Sequence, residues 1–129
     1  MTPNELIAFA FQALGNAHAP YSNYKVGAAL LCSDGTVFQG CNVENASYGL
    51  TNCAERTALF SAVAAGKKDF AAMAIAANGD PAPFPCGACR QVLSEFCGPD
   101  FPVHVATTDG HTTIALGELL PHAFGLRHV

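Results

Sequence analysis

The chain has 129 residues, 50% of them hydrophobic and only 12% charged, with a formal net charge of −4. That size and composition fit one compact domain over residues 1–129, able to bury roughly two-thirds of the surface exposed by its unfolded form. The six lysines and arginines are scattered singly apart from Lys67-Lys68, so no basic stripe offers itself to a polynucleotide, and a small-molecule partner is favoured over nucleic acid.

The first residues, "MTPNELIAFAFQ", lack the basic segment and small-residue cleavage site of a signal peptide. No run approaches the roughly 18 apolar residues needed to span a bilayer, so no membrane partner is expected. The expected compartment is the cytoplasm, where thiols stay reduced. The six cysteines then read as metal ligands plus buried hydrophobes rather than as three disulfides.

In chain order, Thr2-Pro3-Asn4-Glu5 is a capping box with proline at the first helical position. Leu6, Ile7, Ala10, Leu14 and Ala17 continue at helical spacing, and Gly15-Asn16 suggests an end. "YKVGAALLC" (24–32) and "TVFQGC" (36–41) flank "SDG", a hairpin signal. Residues 42–52 are polar and irregular, whereas "CAERTALFSAVAAG" (53–66) is helical and stops at Gly66. "FAAMAIAAN" (70–78) is a continuous apolar run that fits a buried strand. Pro81, Pro83 and Pro85 mark a loop, and a helix over about 86–97 stops at Gly98-Pro99. "PVHVATT" (102–108) alternates like a strand, Asp109-Gly110 turns, and "LGELLP" (116–121) offers a short last helix.

Helices interleaved with apolar strands predict an α/β fold with a mixed sheet covered on both faces. One strand connects the 53–66 helix to the 86–97 helix, so both helices can begin at the same sheet edge. Cys86 and Cys89, three residues apart at the start of the second helix, face one side. Alone this pair reads as a redox dithiol, as packing, or as half a metal site. Cys53, at the start of the first helix, supplies a third thiolate. Three ligands leave a tetrahedral position open for water, which is the catalytic arrangement rather than the structural one.

The candidates to close the site are weaker. Cys97 sits roughly 12 Å from Cys89 by helical rise. Cys32 and Cys41 fall on the hairpin as buried small side chains. His18, His104, His111, His122 and His128 read as surface or satisfied histidines, although sequence alone leaves a closed site open. Glu55, two residues after Cys53, is placed to serve as a general base beside a metal-bound water.

Cys53-Ala54-Glu55 and Pro85-Cys86-Gly87-Ala88-Cys89 together match the zinc nucleobase-deaminase signature, in which the glutamate carries protons and does not bind zinc. "PYSNYKVGAALL" (20–31), "GCNVENASYGLTNCAERTAL" (40–59), "PCGACRQVL" (85–93) and "LLPHAFG" (119–125) extend the likeness over nearly the whole chain. The sequence resembles the small homotetrameric cytidine deaminases.

The resemblance implies a three-layer α-β-α sandwich around a roughly five-stranded mixed sheet. It implies one Zn²⁺ per chain on Cys53, Cys86 and Cys89, with Glu55 as proton shuttle. Asn42 and Glu44 would bind the ribose hydroxyls, and main-chain groups around Ala54 and Cys86 the pyrimidine edge. Tyr48 and Phe124 would reach the pocket of a neighbouring subunit in a homotetramer. Tyr24 stands where a phenylalanine commonly stacks on the pyrimidine, and its hydroxyl needs a partner if buried. Three thiolates and Zn²⁺ carry a net −1, which Arg56 can offset by donating to the sulfurs, with Arg90 a second candidate.

The implied reaction is hydrolysis of cytidine and 2′-deoxycytidine to the uracil nucleosides and ammonia. The rivals are a deaminase of blasticidin-type antibiotics, against which the ribose-binding pair argues, a zinc-stabilised module with a fourth protein ligand, and a Cys86–Cys89 redox protein.

Overall fold

In the computed structural model, residues 1–126 are described; His128 of the sequence analysis lies outside them. Helix α1 (Pro3–Leu14) opens the chain on the expected capping box. The Thr2 hydroxyl accepts from the Glu5 amide at 3.2 Å, and the Thr2 amide donates to the Glu5 carboxylate at 3.2 Å. Strands β1 (Val26–Cys32) and β2 (Val37–Cys41) form the hairpin, its turn passing through Gly35 at a φ of 92°. Helix α2 (Ala54–Ala64), strand β3 (Phe70–Ala77) and helix α3 (Gly87–Phe96) follow. The chain continues through β4 (Pro102–Thr107), β5 (Gly110–Ala115) and the short α4 (Leu116–Leu119).

The strands form a five-stranded sheet in the order β2-β1-β3-β4-β5. Only β3 and β4 run parallel; the other neighbours are antiparallel. Strand β5 is not visible in the residue pattern. Its first four residues are exposed, so its side chains carry no alternation, and it exists because the Asp109-Gly110 turn folds it back onto β4.

Alternation along β1 and β3 divides the core. Ala28, Leu30, Met73 and Ile75 pack with Ala58, Leu59 and Ala62 of α2 and Leu93 of α3. Ala29, Ala72, Ala74 and Ala76 turn to the other face, against Leu6, Ile7 and Ala10 of α1. The result is a three-layer sandwich with alanines letting α1 lie close. Two glycines permit the closest approaches. A Cβ on Gly27 would lie 2.0 Å from the Ala10 carbonyl oxygen, and one on Gly40 would lie 2.4 Å from the Ala58 nitrogen. Gly40 thereby seats the first turns of α2 directly on the sheet, and those turns carry Cys53 and Glu55.

Candidate metal centre and active site

The polar segment between β2 and α2 is folded back by backbone pairing. Val43 and Asn52 exchange N–H···O bonds of 2.9 and 3.0 Å, and the His18 amide donates to the Asn42 carbonyl at 3.0 Å. This delivers Cys53 as the residue that caps α2, while Cys86 caps α3 in the same way. Neither thiol caps a backbone N–H of its own helix, so both sulfurs remain available.

The sulfurs of Cys53, Cys86 and Cys89 all lie within 4.8 Å of one another, and Cys53 and Cys86 are 3.8 Å apart. Two thiolates on a tetrahedral zinc at the usual Zn–S length sit about 3.8 Å apart, which is the spacing of Cys53 and Cys86. Among the described residues this is the one cluster of three metal-ligating side chains.

Charge in the cluster also calls for a cation. Cys53 is drawn down to about 5, first by a hydrogen bond from the Cys89 thiol and then, against burial, by Arg56. The same bond pushes Cys89 upward, helped by burial and by the charge of Glu55. Three adjacent thiolates are therefore not stable on their own, and a divalent ion removes the conflict. Arg56 Nη2 donates to the Cys53 sulfur at 3.3 Å, while its Nε is buried without a hydrogen-bond partner among the described residues. Arg90 faces elsewhere: Nε donates to the Pro85 carbonyl at 2.7 Å and Nη1 to the Leu119 carbonyl at 2.8 Å, bracing the approach to Cys86.

Glu55 follows Ala54 in the first turn of α2 and is only 5% exposed. Burial, aided by the Cys53 charge, lifts its carboxyl to about 7. A group titrating there can both take and release a proton near neutrality.

Tyr24 lies close enough to Glu55 to feel its charge, and its hydroxyl finds a partner, donating to the Pro81 carbonyl. Asn42, 8% exposed, holds the backbone on both sides of Lys25: Oδ1 accepts from Val26 N at 2.9 Å and Nδ2 donates to the Tyr24 carbonyl at 2.8 Å. Glu44 accepts from the Tyr21 and Ser22 amides at 2.9 and 3.2 Å and from the Ser22 hydroxyl. With Tyr21, Ser22 and Thr51 it lines a concavity beside Tyr48. Tyr48 and Phe124 stand out from the surface, 76% and 71% exposed.

Sequence reading gave Ser22 and Asn78 no role and read Pro81 only as marking a loop, yet all three organise this region. Their contacts bridge 22 to 57 positions of chain, and no local pattern encodes them.

Fold and site together define a three-layer α/β protein with a three-cysteine cluster able to hold a metal ion beside a buried glutamate. Comparison with known proteins is specific. The family model for the cytidine and deoxycytidylate deaminase zinc-binding region matches residues 2–105. The cytidine deaminase of Sporosarcina psychrophila is 49% identical over 127 residues, covering 96% of this chain and 92% of its own. That of Halalkalibacterium halodurans is 52% identical over 120 residues, covering 92% and 91%. The crystal structure of cytidine deaminase from Burkholderia pseudomallei superposes with a TM-score of 0.91 at 54% identity, covering 96% of this chain and 100% of that one. The chain belongs to the cytidine and deoxycytidylate deaminase zinc-binding family.

Proposed function

We propose that this protein hydrolyses cytidine and 2′-deoxycytidine to uridine and 2′-deoxyuridine, releasing ammonia, in the salvage of pyrimidine nucleosides. The observation that carries the reading is the buried Glu55 carboxyl beside the Cys53, Cys86 and Cys89 sulfurs. Relatives named cytidine deaminase, at about half identity over nearly the whole chain, support it.

Zinc held by the three thiolates supplies Lewis-acid activation of a water molecule. The carboxylate of Glu55 accepts a proton from the attacking water and passes it to the pyrimidine ring nitrogen next to the amino-bearing carbon. It then carries the second proton to the departing amino group, so water and cytidine balance uridine and ammonia. Its lifted pKa suits both directions of transfer. Arg56 disperses the negative charge of the thiolates.

The ring of Tyr24 stacks on the pyrimidine, and main-chain groups at Ala54 and Cys86 hold its polar edge. Asn42 and Glu44 receive the ribose. Asn42 uses one donor and one acceptor on the backbone and retains a second of each, so both duties are compatible. Tyr48 and Phe124, both largely exposed on this chain, complete neighbouring pockets in a homotetramer. Among the described residues no helix is long and apolar enough to cross a membrane. A cytoplasmic location suits six free thiols, and the net charge of −4 gives nucleic acid no electrostatic footing.

The test combines metal analysis with absorbance. Zinc-loaded protein converts cytidine to uridine, and Glu55→Gln keeps one zinc per chain while turnover falls by about 10²-fold or more. Full turnover by Glu55→Gln would remove Glu55 from the mechanism.

A further inference from the structure

The connection from β3 to Cys86 is hydrogen-bonded to the fold at both ends, while in its middle Ala82 packs against the core and Pro83 is buried, with few hydrogen bonds. At its start the Asn78 amide donates to the Lys25 carbonyl at 3.0 Å, and its side chain accepts from the Lys25 amide at 3.0 Å and donates to the Asn23 carbonyl at 3.1 Å. At its end Arg90 holds the Pro85 carbonyl at 2.7 Å. Between them run Gly79 to Phe84, with Pro81 and Pro83 contributing no N–H. Within this stretch the Phe84 amide donates to the Ala82 carbonyl at 2.9 Å. Among the described residues its one hydrogen bond to another part of the fold comes from the Tyr24 hydroxyl, to the Pro81 carbonyl. With Phe11, Thr107 and Thr108 it lines a cleft of about 340 Å³.

Tyr24 is by contrast a fixed post. Its amide donates to the Ser22 hydroxyl at 3.0 Å and its carbonyl accepts from Asn42 at 2.8 Å. Burial, with the charges of Asp80 and Glu55, raises its phenol above the ordinary range and keeps it a donor. We infer that Tyr24 is a positioning residue whose hydroxyl pins the 79–84 connection through Pro81, and with it the run of chain that leads into Cys86. The hydroxyl is thereby committed to the protein, which leaves the ring face free for substrate.

The effect on substrate rests on the cytidine reading; the tether itself does not. The experiment is Tyr24→Phe in the zinc-loaded full-length chain, which keeps the ring and removes the tether. Backbone ¹⁵N order parameters at Gly79, Asp80, Ala82 and Phe84 are expected to fall from about 0.85 toward 0.6, with β3 unaffected. The KM for cytidine is expected to rise about three- to tenfold, the worth of one hydrogen bond, with a smaller change in kcat. Tyr24→Leu loosens the loop equally and raises KM further, because the ring is lost too. Unchanged order parameters in Tyr24→Phe would overturn the tether. A loosened loop with an unmoved KM would overturn its role in positioning. If the wild type fails to convert cytidine, the functional reading fails, while the order parameters still decide the tether.

Discussion

Arg56 reaches back one turn along α2 to donate from Nη2 to the sulfur of Cys53 at 3.3 Å, placing its positive charge against the thiolate cluster. The guanidinium gains from the arrangement as well: the Cys53 bond, outweighing burial, pushes its pKa further up. A residue adjacent to Glu55 in sequence thus serves the sulfurs.

Replacing this group should weaken metal binding without removing a ligand. Arg56→Gln is expected to lower zinc affinity by about 10- to 100-fold, the usual effect of losing a hydrogen-bond partner of a ligand. Competition against a chromophoric chelator measures it, and an unchanged affinity would place Arg56 outside the metal's environment.

Metal removal should also cost stability. Zinc binds the folded cluster, so free zinc at a hundredfold excess over Kd adds about 2.7 kcal/mol, or roughly 10 °C in Tm for a chain of this size. Calorimetry with and without a chelator gives the answer. A Tm independent of zinc concentration would mean that the three thiols do not bind the ion in the folded state.

The contact of α2 with the sheet depends on a missing side chain. Gly40→Ala drives a methyl to 2.5 Å from the Ala54 carbonyl oxygen and 2.4 Å from the Ala58 nitrogen, both backbone atoms that cannot swing away. The expected loss is about 1–3 kcal/mol, with weakened zinc binding because the same turns carry Cys53 and Glu55. Gly98→Ala, where nothing lies within 4 Å, serves as control. Equal denaturant midpoints for the two variants would contradict the close approach.

A pH effect is expected from β4. His104 is buried, its Nδ1 paired with the Thr113 hydroxyl at 2.8 Å and its ring 5.8 Å from that of His111. Burial, then the neighbouring His111 charge, lowers its pKa below the ordinary 6.5. The folded state therefore holds the neutral ring and binds fewer protons than the unfolded chain. Its stabilising contribution is full above the ordinary histidine value and is lost as pH falls below it. Thermal melts from pH 8 to 5 should show a shallower acid decline for His104→Gln than for the wild type. Parallel curves would show that His104 is not the source.

Much of the chemistry was legible in the residues because it is local. A cysteine two positions before a glutamate, and a proline-led pair of cysteines three apart, each mark a helix start, and helix starts present their first side chains predictably. The strand–helix alternation likewise carried the layer order, since Ala28, Leu30, Met73 and Ile75 point one way and Ala29, Ala72 and Ala74 the other. Strand β5 escaped because an exposed edge strand needs no apolar alternation to exist, only a partner and a turn.

Arginine is a sharper case. Sequence placed Arg56 and Arg90 alike, one residue beyond Glu55 and Cys89; only the packed structure turned Arg56 to sulfur and Arg90 to the carbonyls of Pro85 and Leu119. Side chains that long choose partners by what the fold brings near, not by position in the helix.

By itself, then, the sequence determined which residue types the site contains and that two helix starts present them. The tertiary structure alone decided the 3.8 Å between Cys53 and Cys86, the burial that lifts Glu55, and the bond from Tyr24 to Pro81. The two contacts join segments 33 and 57 residues apart in sequence, set by how closely α2 settles over Gly40 and by where the β3 connection is pinned. Coulomb interactions, desolvation and hydrogen bonds all act over a few ångströms of space, and no spacing along a chain specifies that length.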